Sequence, residues 1–243
     1  MKNLAEAGLD PAKMPRHVGL ILDGNGRWAK KRNQPRIFGH KEGSKRVLEI
    51  VKSAYSLGIP YLSFYAFSTE NWKRPQAEVQ GLMRLLAGFI NQYLEEMDQM
   101  NIRLNIMGDR SAFTGDLARQ LENALSRTAN NDTMIVNIAL NYGGQDEIVW
   151  ATKKIAQAVK EGQLDLEDIN KEVFASQLYT GGQAELDLVI RSSGELRVSN
   201  FMLYQLAYSE FWFSDIYWPD FTEDVFIEAL RDFQQRDRRF GGI

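Results

Sequence analysis

His17-Val18-Gly19-Leu20-Ile21-Leu22-Asp23-Gly24-Asn25-Gly26-Arg27-Trp28-Ala29-Lys30-Lys31 is the stretch whose reading decides the fold. Its apolar beginning suits a short strand buried on both faces. The run stops at an acid, two glycines follow with one residue between them, and basic residues come next. Glycines let backbone N–H groups approach an anion closely. A helix starting there would aim its positive end at the same spot. Asp23 would repel a diphosphate unless a divalent cation sat between them, so the stretch reads as a metal-assisted diphosphate site at the end of a first strand. Two other readings stay open. Gly24 to Ala29 formally fits the dinucleotide fingerprint G-x-G-x-x-[GA], with Glu70 ending the next predicted strand. It also fits a plain turn in which Asp23 caps a helix. A Walker loop is excluded, because no Gly-Lys-Ser/Thr follows.

The chain has 243 residues, enough for one large α/β domain with a sizeable core. Its formal charge of −3 argues against general nucleic-acid affinity, so the basic residues matter by position. There is no cysteine, which excludes disulfides, thiolate metal sites and cysteine nucleophiles and suits a reducing compartment. Met1 to Pro15 lacks the apolar core of a signal peptide, and no run approaches the roughly 18 apolar residues of a membrane span. A cytoplasmic protein is expected.

Outward from the opening stretch, residues 1–15 read as a loose arm and 16–243 as one catalytic domain. A helix is expected from about Lys41 to Leu57, stopping at Gly58. Tyr61 to Phe67 reads as a second buried strand, followed by the polar loop Ser68 to Pro75. A long helix of about 76–99 carries Val79, Leu82, Met83, Leu86, Phe89, Ile90, Tyr93, Leu94 and Met97 on one broad face. That face suits core packing or the wall of an apolar channel. Further strands are expected at Ile102–Met107, Met134–Leu140 and Leu186–Ile190, alternating with helices of about 115–129, 145–160, 168–178 and 200–207, and a last helix opened by Thr222. Alternation of strands and helices predicts a mostly parallel central β-sheet flanked by helices. Right-handed crossovers would gather the strand-end loops along one edge.

Those loops hold Asp23, Arg27, Arg36 and His40, then Ser68, Asn71, Trp72 and Arg74, then Arg191, Arg197 and Ser199, with Glu210 just beyond. Arginine binds phosphate oxygens through paired N–H bonds, and there are enough here for two diphosphates. No nucleophile–base pair stands out, and Ser192-Ser193-Gly194 is no nucleophile elbow. Asp23 and Glu210 alone are too few for a closed Mg²⁺ cage, but Mg²⁺ commonly keeps waters and takes substrate phosphate oxygens. The pattern favours substitution at a diphosphate ester.

Three segments resemble the signatures of the cis-prenyltransferases. They are Asp23 to Ala29 with Phe38-Gly39-His40, then Phe67 to Pro75, then Asp187 to Phe201 with Glu210 downstream. The tail Arg238-Arg239-Phe240-Gly241-Gly242 fits as well, so the resemblance runs in order from about 17 to 242. It is strongest to the long-chain bacterial members. It implies an α/β homodimer with a hydrophobic tunnel rising from the strand ends. The implied activity is repeated cis condensation of isopentenyl diphosphate onto (2E,6E)-farnesyl diphosphate with release of pyrophosphate. The implied product is undecaprenyl diphosphate, the carrier-lipid precursor for peptidoglycan, and the implied cofactor is Mg²⁺. A long lipid product further suggests transient peripheral contact with the inner face of a membrane.

The same resemblance assigns roles. Asp23 matches the acid that works with Mg²⁺, and Glu210 a second metal-associated acid near a dimer interface. Gly24, Asn25, Gly26 and Arg27 match the loop around the allylic diphosphate, with Trp28, Arg36 and His40 beside it. Ser68, Thr69 and Glu70 match further substrate contacts. Asn71 matches a proposed proton acceptor, with Trp72 and Arg74 as its neighbours, although a neutral amide is a poor base and departing pyrophosphate could take the proton. Arg191, Arg197, Val198 and Ser199 match the isopentenyl diphosphate pocket. The face of helix 76–99, with Leu140, is the expected tunnel wall. Shorter-chain synthases share these motifs. Non-catalytic partner subunits of the family lack the acid and arginine signature that this sequence retains.

Overall fold

The computed structural model describes residues 1–238. In chain order the elements are α1 (Leu4–Ala7), β1 (His17–Ile21), α2 (Asn25–Lys31), α3 (Arg36–Ser56), β2 (Tyr61–Ser68), α4 (Gln76–Gln99), β3 (Ile102–Met107), α5 (Gly115–Arg127), β4 (Met134–Tyr142), α6 (Gly144–Lys160), α7 (Lys171–Ser176), β5 (Leu188–Arg191), β6 (Glu210–Phe213) and α8 (Glu223–Gln234). The strands form a single six-stranded sheet in the order β3-β4-β2-β1-β5-β6. Every pairing is parallel. Parallel strands need helical crossovers, and these cover both faces, which is why β1 is buried at all five positions. Chain order reverses across β1, so ligand-binding loops are expected at the carboxyl ends of β1, β2 and β5.

Alternation divides the core. Leu20, Leu62, Phe64, Val136, Ile138 and Ile190 pack with α3, α4, α5 and α8 in the larger cluster. Ile21, Ala139 and Val189 face a smaller cluster with Tyr142, Phe201 and Met202. On the smaller side a polar row crosses four strands. Ser63 Oγ lies 2.7 Å from His17 Nε2 and accepts from Asn137 Nδ2 at 2.9 Å. Asn105 Nδ2 donates to Asn137 Oδ1 at 2.7 Å.

Several expectations are corrected. Residues 1–15 are not a loose arm: Ala7 and Leu9 are buried, and Arg231 Nε donates to the Ala7 carbonyl at 2.9 Å. The expected helix at 200–207 is an irregular turn ending in a short 3₁₀ turn, Gln205–Tyr208. Positive φ at Ser199, Asn200 and Met202 prevents an α-helix there. The aromatic run at 211–213 belongs to a sixth strand, β6. In the tail motif, Arg239 to Gly242 lie outside the described residues.

Candidate active site

A cavity of about 700 Å³ opens at the carboxyl edge of the sheet, between the strands and the helices α3 and α4. One end is polar and carries Asp23, Asn25, His40, Ser68, Glu70, Asn71, Arg74, Arg191, Arg197, Ser199 and Asn200. The other is apolar, with Val47, Leu82, Met83, Leu85, Leu86, Phe89, Ile138 and Leu140. The face of α4 and Leu140 thus form the expected wall. α4 keeps only Val79, Gly81, Ile90, Leu94 and Met97 fully buried, because the rest of its apolar face borders this space.

Asp23 stands where β1 ends. The turn needs Gly24, whose φ of +95° is strained for other residues and whose added Cβ would lie 2.7 Å from Tyr217. Asp23 Oδ2 accepts from Arg191 Nη2 at 2.9 Å, and Oδ1 lies 3.2 Å from Arg27 Nη2. Burial pulls the Asp23 carboxyl upward, but the Arg191 hydrogen bond, the Gly24 N–H and both arginine charges outweigh it and hold the pKa below the usual range. Arg191 is 4 % exposed. It also donates to Ser199 Oγ at 2.8 Å and to the Arg197 carbonyl, while its Nε has no partner. A buried guanidinium with a spare donor beside a cavity suits an anionic ligand.

The loop after β2 is fixed by reciprocal capping. Asn71 Oδ1 accepts from the Ser68 N–H at 3.2 Å, and the Ser68 side chain accepts from the Asn71 backbone. The amide oxygen of Asn71 is therefore committed to the turn, and its NH₂ is the group free to meet a ligand. That weakens its expected role as proton acceptor. Arg74 Nη1 and Arg36 Nε flank the Glu78 carboxylate at 3.1 and 3.4 Å. His40 reaches the cavity because Gly39 and Gly43 let α3 lie against α2. Burial first, then the Arg74 charge, holds its pKa down to about 4, and its Nε2 has no partner.

Not every expected residue faces the cavity. Trp28 Nε1 donates to Asp220 Oδ1 at 2.7 Å, and its ring stacks on Phe38 at 5.9 Å. Trp28 thus packs between α2, α3 and the Trp218–Asp220 turn and is not among the residues that line the cavity. Trp72 points to Asn141, with Nε1 2.7 Å from Oδ1. Thr69 binds Asp146 at 3.3 Å. Gly24, Gly26, Arg27, Arg36 and Val198 are not among the residues that line the cavity. Gly26 leaves room for the Arg36 guanidinium, which an added Cβ would meet at 2.9 Å. Glu210 does not join Asp23 within one chain. It opens β6 opposite Leu188, at the amino edge of the sheet, and its carboxylate accepts from Arg236 at 2.9 Å. Spacing along the sequence hid this, because a parallel crossover returns the chain to the far edge. Sequence reasoning also left Tyr65, Trp218 and Asn200 without roles, though all three line the cavity.

Among the described residues no cluster of three acidic, histidine or cysteine side chains could cage a metal alone. The donor set at the polar end is instead a hard carboxylate, Asp23, among arginines. That fits a hard cation held jointly with a diphosphate.

The family model Prenyltransf, described as "Putative undecaprenyl diphosphate synthase", matches residues 21–241. An isoprenyl transferase of Bacillus subtilis (strain 168) is 54% identical over 231 residues, covering 95% of this chain and 89% of the relative. A ditrans,polycis-undecaprenyl-diphosphate synthase ((2E,6E)-farnesyl-diphosphate specific) of Pasteurella multocida (strain Pm70) is 50% identical over 234 residues, covering 96% and 98%. The crystal structure of lavandulyl diphosphate synthase from Lavandula x intermedia, in complex with dimethylallyl diphosphate, superposes with a TM-score of 0.91 at 35% identity, covering 95% of this chain and 99% of that one. The dinucleotide reading of Gly24 to Ala29 falls with these matches. With its arginine-bearing polar end, its apolar wall and these relatives, this chain belongs to the cis-prenyltransferase family typified by undecaprenyl diphosphate synthase.

Proposed function

We propose that the protein condenses isopentenyl diphosphate repeatedly with farnesyl diphosphate, forming cis double bonds and undecaprenyl diphosphate. The observation that carries this reading is the two-ended cavity: Asp23 and arginines at one end, an apolar wall from α4 and Leu140 at the other. The name of the Pasteurella relative supplies the allylic substrate and the product.

The residues explain the chemistry. Breaking the allylic C–O bond builds charge on the leaving pyrophosphate, and preorganised cations lower the barrier most where that charge appears. Arg27 and Arg36 border one anion position, and Arg191 and Arg197 a second. Asp23 would hold Mg²⁺ together with the substrate oxygens, supplying Lewis-acid stabilisation of the leaving group. Neutral His40 and the NH₂ of Asn71 are donors that orient phosphate oxygens. Leu86, Phe89 and Ile138 keep water from the allylic fragment as it gains cationic character. Glu210 joins this chemistry only through a second copy of the chain, so the reading includes a homodimer. A polyprenyl product buries about 0.8 kcal/mol per methylene, which favours release at a membrane surface. No helix among the described residues is long and apolar enough to cross a membrane.

Incubation with farnesyl diphosphate, labelled isopentenyl diphosphate and Mg²⁺, with chain length read by chromatography, tests the reading. A long polyprenyl product is expected. One or a few additions would keep the chemistry and overturn the product assignment; no incorporation by folded protein would overturn both. Asp23→Ala should lower turnover by about 10²-fold or more with the circular dichroism spectrum unchanged. Full activity in that variant would remove Asp23 from the mechanism.

A further inference from the structure

The loop after β5 is held in an uncommon backbone conformation. Ser199, Asn200 and Met202 have φ of +49°, +64° and +46°. Non-glycine residues adopt this region at a cost and stay there only when their surroundings hold them; asparagine tolerates it best. Asn200 is where the holding contacts converge. Its carbonyl accepts from the Gly144 N–H at 2.7 Å, and its Oδ1 accepts from the Gln145 N–H at 2.9 Å. The first N–H groups of a helix have no partner within it. The N-cap position of α6 is Gly143, which has no side chain to supply one. Asn200 thus caps α6 from another loop. Its Nδ2 donates to Glu70 Oε1 at 3.2 Å, reaching the loop after β2. Beside it, Tyr65 Oη donates to the Ser199 carbonyl at 3.2 Å.

We propose that Asn200 is a positioning residue that latches the Arg197–Ser199 loop onto α6 and Glu70, and so shapes the isopentenyl diphosphate end of the cavity. The substrate named here rests on the functional reading above. The geometry supports the assignment through Ser199, whose Oγ accepts from Arg191 at 2.8 Å and whose backbone the latch fixes. Gly143 is the second half of the device. A Cβ there would lie 2.5 Å from Asp146 Oδ2 and 2.7 Å from Asn200 Nδ2, while its extended backbone accepts alanine. Gly143→Ala therefore presses on the Asn200 and Asp146 side chains together, and Asn200→Ala, which leaves Asp146 in place, isolates the Asn200 contribution. The effect should be one-sided. Glu70 keeps hydrogen bonds from its own N–H, Ser68 and Thr69 when Asn200 is lost, so the side of the cavity it borders stays built.

The test compares wild type, Asn200→Ala and Gly143→Ala in two measurements. Amide exchange on the substrate-free protein should quicken about tenfold at Gly144, Gln145 and residues 197–202 in both variants, with the central strands unchanged. Steady-state kinetics should show KM for isopentenyl diphosphate rising about tenfold, with KM for farnesyl diphosphate within about twofold of wild type. Unchanged exchange at Gly144 and Gln145 in Asn200→Ala, or an equal rise in both KM values, would overturn the proposal. The exchange arm needs no turnover. A folded wild type that incorporates nothing would therefore sink the functional reading, and exchange would still decide the latch.

Discussion

Gly39 is the residue on which the α2–α3 corner depends. An added Cβ would lie 2.0 Å from the Asn25 carbonyl oxygen, a backbone atom that cannot swing aside. Gly43, one helical turn later, would put a Cβ 2.1 Å from Asn25 Oδ1 and 2.8 Å from Trp218. The two glycines bring Asn25 and His40 to the same end of the cavity. Gly39→Ala should lower stability by about 3 kcal/mol, read by urea unfolding, because overpacking forces the helices apart. A loss below about 0.5 kcal/mol would show that the corner adapts. The sequence displays the glycine spacing but not its partner, since Asn25 reaches it only after the chain turns through Pro35.

Strands are the elements most legible beforehand, because burial on both faces leaves near-continuous apolar runs. The polar members of those runs were not legible. His17, Ser63, Asn105 and Asn137 look like interruptions until the register sets Ser63 beside Asn137 and Asn105 beside Asn137. Asn137 then bonds Ser63, Asn105 and Gln183, tying the segment before β5 to the sheet. Asn137→Leu should cost about 2–4 kcal/mol, since it leaves several buried partners unsatisfied, and chemical denaturation would measure it. An unaltered midpoint would mean that water replaces the amide. α4 shows the opposite case. Its apolar stripe was plain, and only its neighbours reveal that part of it walls a cavity.

Charge and burial across the whole molecule set its response to acid. Burial, partly offset by the Ala184 carbonyl and Asp187, holds the His17 pKa at about 4, and His40 is held to about 4 as well. Unfolded histidine titrates near 6.5, so between these values the unfolded state binds more protons. Stability is therefore fully present above about pH 6.5 and falls as pH drops toward about 4, by up to roughly 2.7 kcal/mol per pH unit when both histidines contribute. Glu147, whose carboxyl burial pushes up, works in the opposite sense and blunts the fall. Calorimetry from pH 7.5 to 4.5 should show Tm declining with acid; a flat profile would mean both rings ionise in place.

Local chemistry was enough to determine the alternation of strands and helices, the polar loops after β1, β2 and β5, and the residue types a diphosphate requires. These follow from periodicity, turn residues and charge, which act over a few neighbours. Tertiary structure decided which of those residues meet. It turned Trp28 toward Asp220, committed the oxygen of Asn71 to its own turn, placed Glu210 on the far edge from Asp23, and brought Asn200 to the start of α6. Each of these depends on the order of strands in the sheet, which is set by how the helices pack over long crossovers. No short stretch of sequence carries that information.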